Sequence, residues 1–218
     1  MANSLQFPGR RRFLKGSAAA AAVLPGILAP PSAAVSEDTE LSIVGPKKGY
    51  SPQIGTLVSE MAFMRDQVLK SAKGLSQQEL DFLLDAKANR IGALLLHLVA
   101  VEKFYQLNTF DSLAGEKIPD SWKEQWGMPM ELGDAARKGI VGKNLDYYLA
   151  QLNETREKTL AEFRKRDDAW LMSVDKGWGW GPTNNYCKWF HVTEHEANHN
   201  GQIKFLKARL PGAKPASE

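Results

Sequence analysis

The chain has 218 residues, with 28 Lys and Arg against 25 Asp and Glu and a formal net charge of +3. The excess sits in residues 1–34, which hold Arg10, Arg11, Arg12 and Lys15 and no acid; the remainder balances at 24 basic to 25 acidic residues. No basic folded face is left for nucleic acid, the 43% hydrophobic and 24% charged content excludes general disorder, and a single cysteine, Cys187, excludes an intramolecular disulfide or a thiolate-rich metal site.

Residues 1–34 have the order of a secretory signal. The charged run Arg10-Arg11-Arg12-Phe13-Leu14-Lys15 precedes an apolar, alanine-rich stretch from Ser17 to Ala29, and Ser32-Ala33-Ala34 offers small residues for cleavage. Arg10-Arg11-x-Phe13-Leu14-Lys15 resembles a bacterial twin-arginine signal, with Gly9 where that pattern has Ser or Thr. Cleavage is expected after Ala34. The expected partner is the twin-arginine export machinery and the expected destination the periplasm or another exported compartment. A membrane-spanning helix needs about 20 apolar residues, and Pro25 and Gly26 interrupt this shorter stretch.

Residues 35–50 are polar and read as an extended arm; residues 51–212 read as one domain and 213–218 as a tail. Ile54, Leu57, Met61 and Val68 recur at helical spacing from Pro52 to Ala72, the first predicted helix. Ser76-Gln-Gln-Glu79 has capping-box spacing and opens a short helix to about Leu84. The second long helix runs from Asn89 to Asn108. The segment from Thr109 to Gly142, rich in Gly and Pro, reads as a long connection with at most short helices. A third long helix covers Lys143 to Arg166. A loop from Asp167 to Pro182 leads to the fourth, Thr183 to Leu210, which stops at Pro211-Gly212. No segment shows a period of two. The prediction is all-α: a four-helix bundle with long connections between helices 2 and 3 and between helices 3 and 4.

Three of the four histidines fall in the last helix. His195 and His199 lie about 40° apart around a helix axis and about 6 Å along it, so both rings can reach one metal ion. His191 extends the stripe, and spacing allows His191 with His195 or His195 with His199, but not all three together. A third ligand must come from another helix, and His97 interrupts an apolar run there. Three neutral histidines leave a coordination position open for water or a thiolate. His195-Glu196-x-x-His199 also reads literally as the zinc-peptidase signature, with Glu196 as base; Gln202 and Phe205 stand where its extended form has Gly and His.

These segments resemble the DinB-like superfamily of metal-binding four-helix bundles. The resemblance rests on Gly74-Leu-Ser-x-x-Glu79-Leu-Asp81-Phe82, on Ile91-Gly-Ala-Leu-Leu-Leu-His97-Leu-Val-Ala-Val-Glu102, and on His191-Val-x-x-His195-Glu-x-x-His199-x-Gly201-Gln202-Ile203. It implies one divalent metal, zinc or nickel, on His97, His195 and His199. It further implies a small-molecule substrate and a low-molecular-weight thiol cosubstrate, with transfer or hydrolysis as the reaction and a homodimer as a frequent state. Glu102 and Glu196 are then candidates for orienting a ligand histidine or carrying a proton, and His191 and Gln202 for flanking the ligands. Gly201 is expected to let a neighbouring helix approach. An exported domain is separated from cytoplasmic thiols, which opposes the transferase reading; a non-enzymatic metal- or ligand-binding protein of the cell envelope is the alternative.

Trp170, Trp178 and Trp180 lie in the loop before the last helix and Trp189 on its first turns. They are expected chiefly to plug the bundle end, with Trp178 and Trp180 as candidates for an apolar wall beside the histidines. Cys187 is expected to be a small buried residue.

Overall fold

The computed structural model describes residues 40–114 and 117–214. The predicted signal segment and residues 35–39 of the arm lie outside them. Among the described residues, four long helices form the bundle: α1 (Pro52–Ala72), α3 (Ile91–Thr109), α6 (Leu145–Phe163) and α8 (Asn185–Lys207). Between them come α2 (Gln77–Leu80), α4 (Asp120–Glu131), α5 (Gly133–Gly139) and α7 (Asp168–Met172). The architecture is all-α, as the periodicity predicts. The sheet found among the described residues is a minimal antiparallel ladder, β1 (Val174–Asp175) on β2 (Thr183–Asn184), too short to leave a period of two in the sequence. No helix of the described residues is long and apolar enough to cross a membrane.

Each long helix starts where its local chemistry allows. Pro52 occupies the first turn of α1, where its missing N–H costs nothing. That turn is capped in trans: the Asp168 carboxylate on α7 accepts from Ser51 Oγ at 2.5 Å and from the Gln53 and Ile54 amides at 3.1 and 3.3 Å. Asn144 caps α6 and Asn184 caps α8. Ser76 and Glu79 form the complete predicted capping box, but α2 ends at Leu80, four residues short of the predicted end, where Asp81 becomes its C-cap.

The long helices close into a ring in which α1 packs on α8, α8 on α3, α3 on α6 and α6 back on α1. Helix α3 also meets α4, so it is covered on nearly every side. This is why its sequence is apolar almost all round rather than striped. Gly92 makes the α3–α6 packing tight: a Cβ there would lie 2.6 Å from the Tyr148 hydroxyl. Gly201, in contrast, is exposed and faces open space, so the expected close helix approach does not occur there.

The segment from Thr109 to Gly142 holds more helix than its glycines suggest. Helix α4 runs for 12 residues through Gly127 and Pro129 and buries Trp126 in the core. Two apolar clusters fill the bundle. One gathers Val68, Leu94, Leu95, Leu98, Leu152 and Ile203; the other gathers Ile54, Leu57, Met61, Tyr105, Phe163 and Trp189. Along each long helix the two clusters meet at one buried charged residue, and these four residues frame the site.

Candidate metal centre

His97 comes from α3; His195 and His199 come from successive turns of α8. Their candidate ligand atoms all lie within 4.8 Å of one another. His97 Nε2 is 2.8 Å from His195 Nε2, which is 3.0 Å from His199 Nε2. His97 and His199 are buried and His195 is half-buried, so the cluster opens to one side. Of the two pairs that spacing allows, the structure thus brings His195 and His199 together with His97 of α3.

The tautomers follow from the neighbours. A carbonyl can only accept, so His97 Nδ1 donates to the Pro129 oxygen at 2.8 Å and its Nε2 carries a lone pair. The Pro129 carbonyl is available because it lies in the last turn of α4, where carbonyls lack intrahelical donors. His199 Nδ1 donates to Gln202 Oε1 at 3.1 Å, which leaves its Nε2 bare as well. Two lone pairs therefore face His195 Nε2 from either side, and a single ring proton cannot serve both well. A cation accepting all three Nε2 atoms removes this conflict, so the donor set fits a divalent metal.

Electrostatics agree. Burial is the main cause lowering His97 to about 4 and His195 to about 3, with neighbouring histidines adding to it. Burial also lowers His199. All three rings are neutral at physiological pH, the form that binds metal.

Glu102 and Glu196 are placed otherwise than expected. Neither bonds a histidine. Glu102 accepts from Arg156 Nε at 2.8 Å, Arg65 Nη2 at 2.8 Å and Thr159 Oγ1 at 2.7 Å. Glu196 Oε1 accepts from Arg65 Nη2 at 2.6 Å and Arg156 Nη2 at 2.9 Å. Arg65, Glu102, Arg156 and Glu196 belong to α1, α3, α6 and α8 in turn, and all are buried. Burial alone raises a carboxyl's pKa, but Arg156 and Arg65 outweigh it and hold Glu102 down to about 2. A group kept ionised by two guanidiniums is a poor proton carrier. The peptidase reading fails on the same geometry, because its base must face the open side of the histidine pair. The arginines escaped the sequence reading: Arg65 stands on the apolar stripe of α1, a position that only a buried partner explains.

The tryptophans divide between two roles. Trp189 is fully buried and stacks on Phe110 at 5.1 Å, and Trp170 also stacks on Phe110 at 5.8 Å; these rings plug the bundle end. Trp180 is 59% exposed and stands at right angles to His191, 4.9 Å between centroids. His191 in turn meets His195 at 5.1 Å, and its Nδ1 bonds Glu194 at 3.0 Å. Trp178 lies 5.6 Å from Trp180. Cys187 is exposed, not buried, because Asn184 caps α8 so that position 187 faces outward. A groove of about 480 Å³ lies elsewhere, lined by Glu79, Lys204, Lys207 and the chain end after Leu210; none of the histidines borders it.

The bundle and its histidine trio on two facing helices define a DinB-like protein. Residues 56–212 match the family model described as Mycothiol-S-transferase, and the chain belongs to that DinB-like family of thiol S-transferases. No curated protein matches it. A crystal structure described as the conserved protein of a locus from Enterococcus faecalis is similar in fold. Its TM-score is 0.54 at 14% identity, covering 70% of this chain and 93% of that one.

Proposed function

We propose that this chain is an exported, divalent-metal-dependent thiol S-transferase that joins a low-molecular-weight thiol to a small electrophile. The observation that carries the reading is the convergence of three bare or neutral Nε2 atoms, in a chain whose family transfers thiols. His97, His195 and His199 would hold the ion. The ion would supply Lewis acidity, lowering the pKa of a thiol or water beside it. Pro129 and Gln202 fix the ring orientations of His97 and His199. Half-buried His195 marks the side from which substrate enters. Glu102, kept ionised by Arg156 and Arg65, stays out of proton transfer, and Glu196 holds α8 against α1 and α6 through Arg65 and Arg156.

Metal analysis of the purified protein tests the site: about one zinc or nickel per chain is expected, with loss in His97→Ala. Unchanged stoichiometry in that variant overturns the three-histidine centre. A panel of thiols and electrophiles tests the reaction, and turnover that is indifferent to chelation overturns metal dependence. Export rests on Arg10-Arg11-x-Phe13-Leu14-Lys15. Replacing Arg10 and Arg11 by lysines is expected to retain the protein in the cytoplasm; unaltered export sinks the twin-arginine route.

A further inference from the structure

The turn between β1 and β2 holds a large apolar ring in water beside the histidine centre. Trp180 is more than half exposed, yet it is not on a loose tip. The ladder pairs Val174 with Asn184 and Asp175 with Thr183 at its base. Lys188, 2% exposed, then pins the turn: its Nζ donates to Asn108 on α3 at 2.8 Å and to Asp175 on β1 at 2.8 Å, and lies 4.3 Å over the Trp178 ring. Gly177 N–H donates to the other Asp175 oxygen at 2.9 Å. A buried lysine is costly unless it is paired, and here its pairs fix the base of the turn and the Trp178 ring against which Trp180 packs.

From Trp180 an unbroken series of ring contacts leads inward. It passes to His191 at 4.9 Å and from His191 to His195 at 5.1 Å. Trp178 and Tyr105 back it, 5.8 Å apart. A substrate reaching the histidines from their open side passes this wall. The wall's own chemistry selects the ligand. Indole faces are electron-rich and favour flat, electron-poor rings. A cationic ligand is disfavoured, because the ammonium of Lys188 already occupies the cation position over Trp178. Of the nearby carboxylates, Asp175 is paired with Lys188, and Glu194 meets His191 through one oxygen.

The geometry points to Trp180 as a substrate-contacting residue that stacks an electron-poor aromatic electrophile against the histidine centre, with Lys188 as the positioning residue that holds it there. This rests on the transferase reading for the word electrophile, but the binding itself does not require turnover. The probe is therefore 1,3-dinitrobenzene, a flat electron-poor ring without a leaving group, in equilibrium dialysis against the metal-loaded protein. Saturable binding is expected, weakened about tenfold in Trp180→Ala and largely restored in Trp180→Phe. Metal content and melting temperature should stay unchanged in both variants. In cobalt-loaded protein the probe's proton relaxation should be enhanced over the zinc form, which reports proximity to the histidines. Equal binding by wild type and Trp180→Ala, no binding, no cobalt effect, or preferential binding of tetramethylammonium each overturns the proposal. Binding that behaves as expected in a protein without thiol-transfer activity sustains the aromatic site and removes only the transferase reading.

Discussion

Histidine tautomers decide what the centre can hold, and two groups outside it decide the tautomers. Gln202 is the accessible one to change, since it lies on the exposed side of α8 and bonds His199 directly. Gln202→Ala is expected to weaken metal binding about tenfold, read by chelator competition, because a ring freed of its Nδ1 partner loses orientation and basicity. Unchanged affinity would show that packing alone orients His199. The histidines were legible as residues: a pair four apart on one helix and a lone His in an apolar run. Their partners were less so. Gln202 stands three residues from His199 and follows from helical spacing, but the Pro129 carbonyl belongs to a segment that reads as loop and contributes through its backbone, which carries no side-chain signal.

The four long helices were legible from their periodicity, with Pro52 and Pro211 marking two ends, whereas α6 and α8 each begin two residues later than predicted, after the caps Asn144 and Asn184. What composition hides is which glycine carries packing. Gly92 and Gly201 both sit inside helices and look alike in sequence, yet their surroundings are opposite. Gly92→Ala would drive a methyl group into the ring of Tyr148, which is fully buried and cannot swing away. A loss of about 1–3 kcal/mol is expected in urea unfolding. Gly201→Ala meets nothing and should gain about 0.5–1 kcal/mol from reduced backbone entropy in the unfolded chain. A loss at Gly201 instead would reveal a neighbour at that face in solution. Helix α4 escaped reading for a related reason: Gly127 and Pro129 argue against a helix, and burial of Trp126 against α3 overrides them.

On the scale of the molecule, the buried Arg65–Glu102–Arg156–Glu196 cluster links all four long helices. Glu102→Gln is expected to cost about 3–5 kcal/mol, since it leaves guanidinium charge uncompensated in the core. The pH dependence has a definite sign. Folding lowers Glu102 from 4.5 to about 2, so its contribution is full above about pH 4.5 and is lost as pH falls toward 2. Wild type should therefore lose stability more steeply over that range than Glu102→Gln; parallel profiles would show that the carboxylate is not coupled to folding. The cluster has a further consequence for how the helices find one another. Sliding any of them by one turn would carry its charge about 5.4 Å into an apolar layer, so the four ions set the axial register of the whole bundle. The signs alternate along the chain, and around the ring each carboxylate helix neighbours an arginine helix, α8 beside α1 and α3 beside α6. A fragment lacking one helix keeps an unmatched ion in its interior, which makes assembly all-or-none and puts His97 level with His195 and His199 only once every helix is in place.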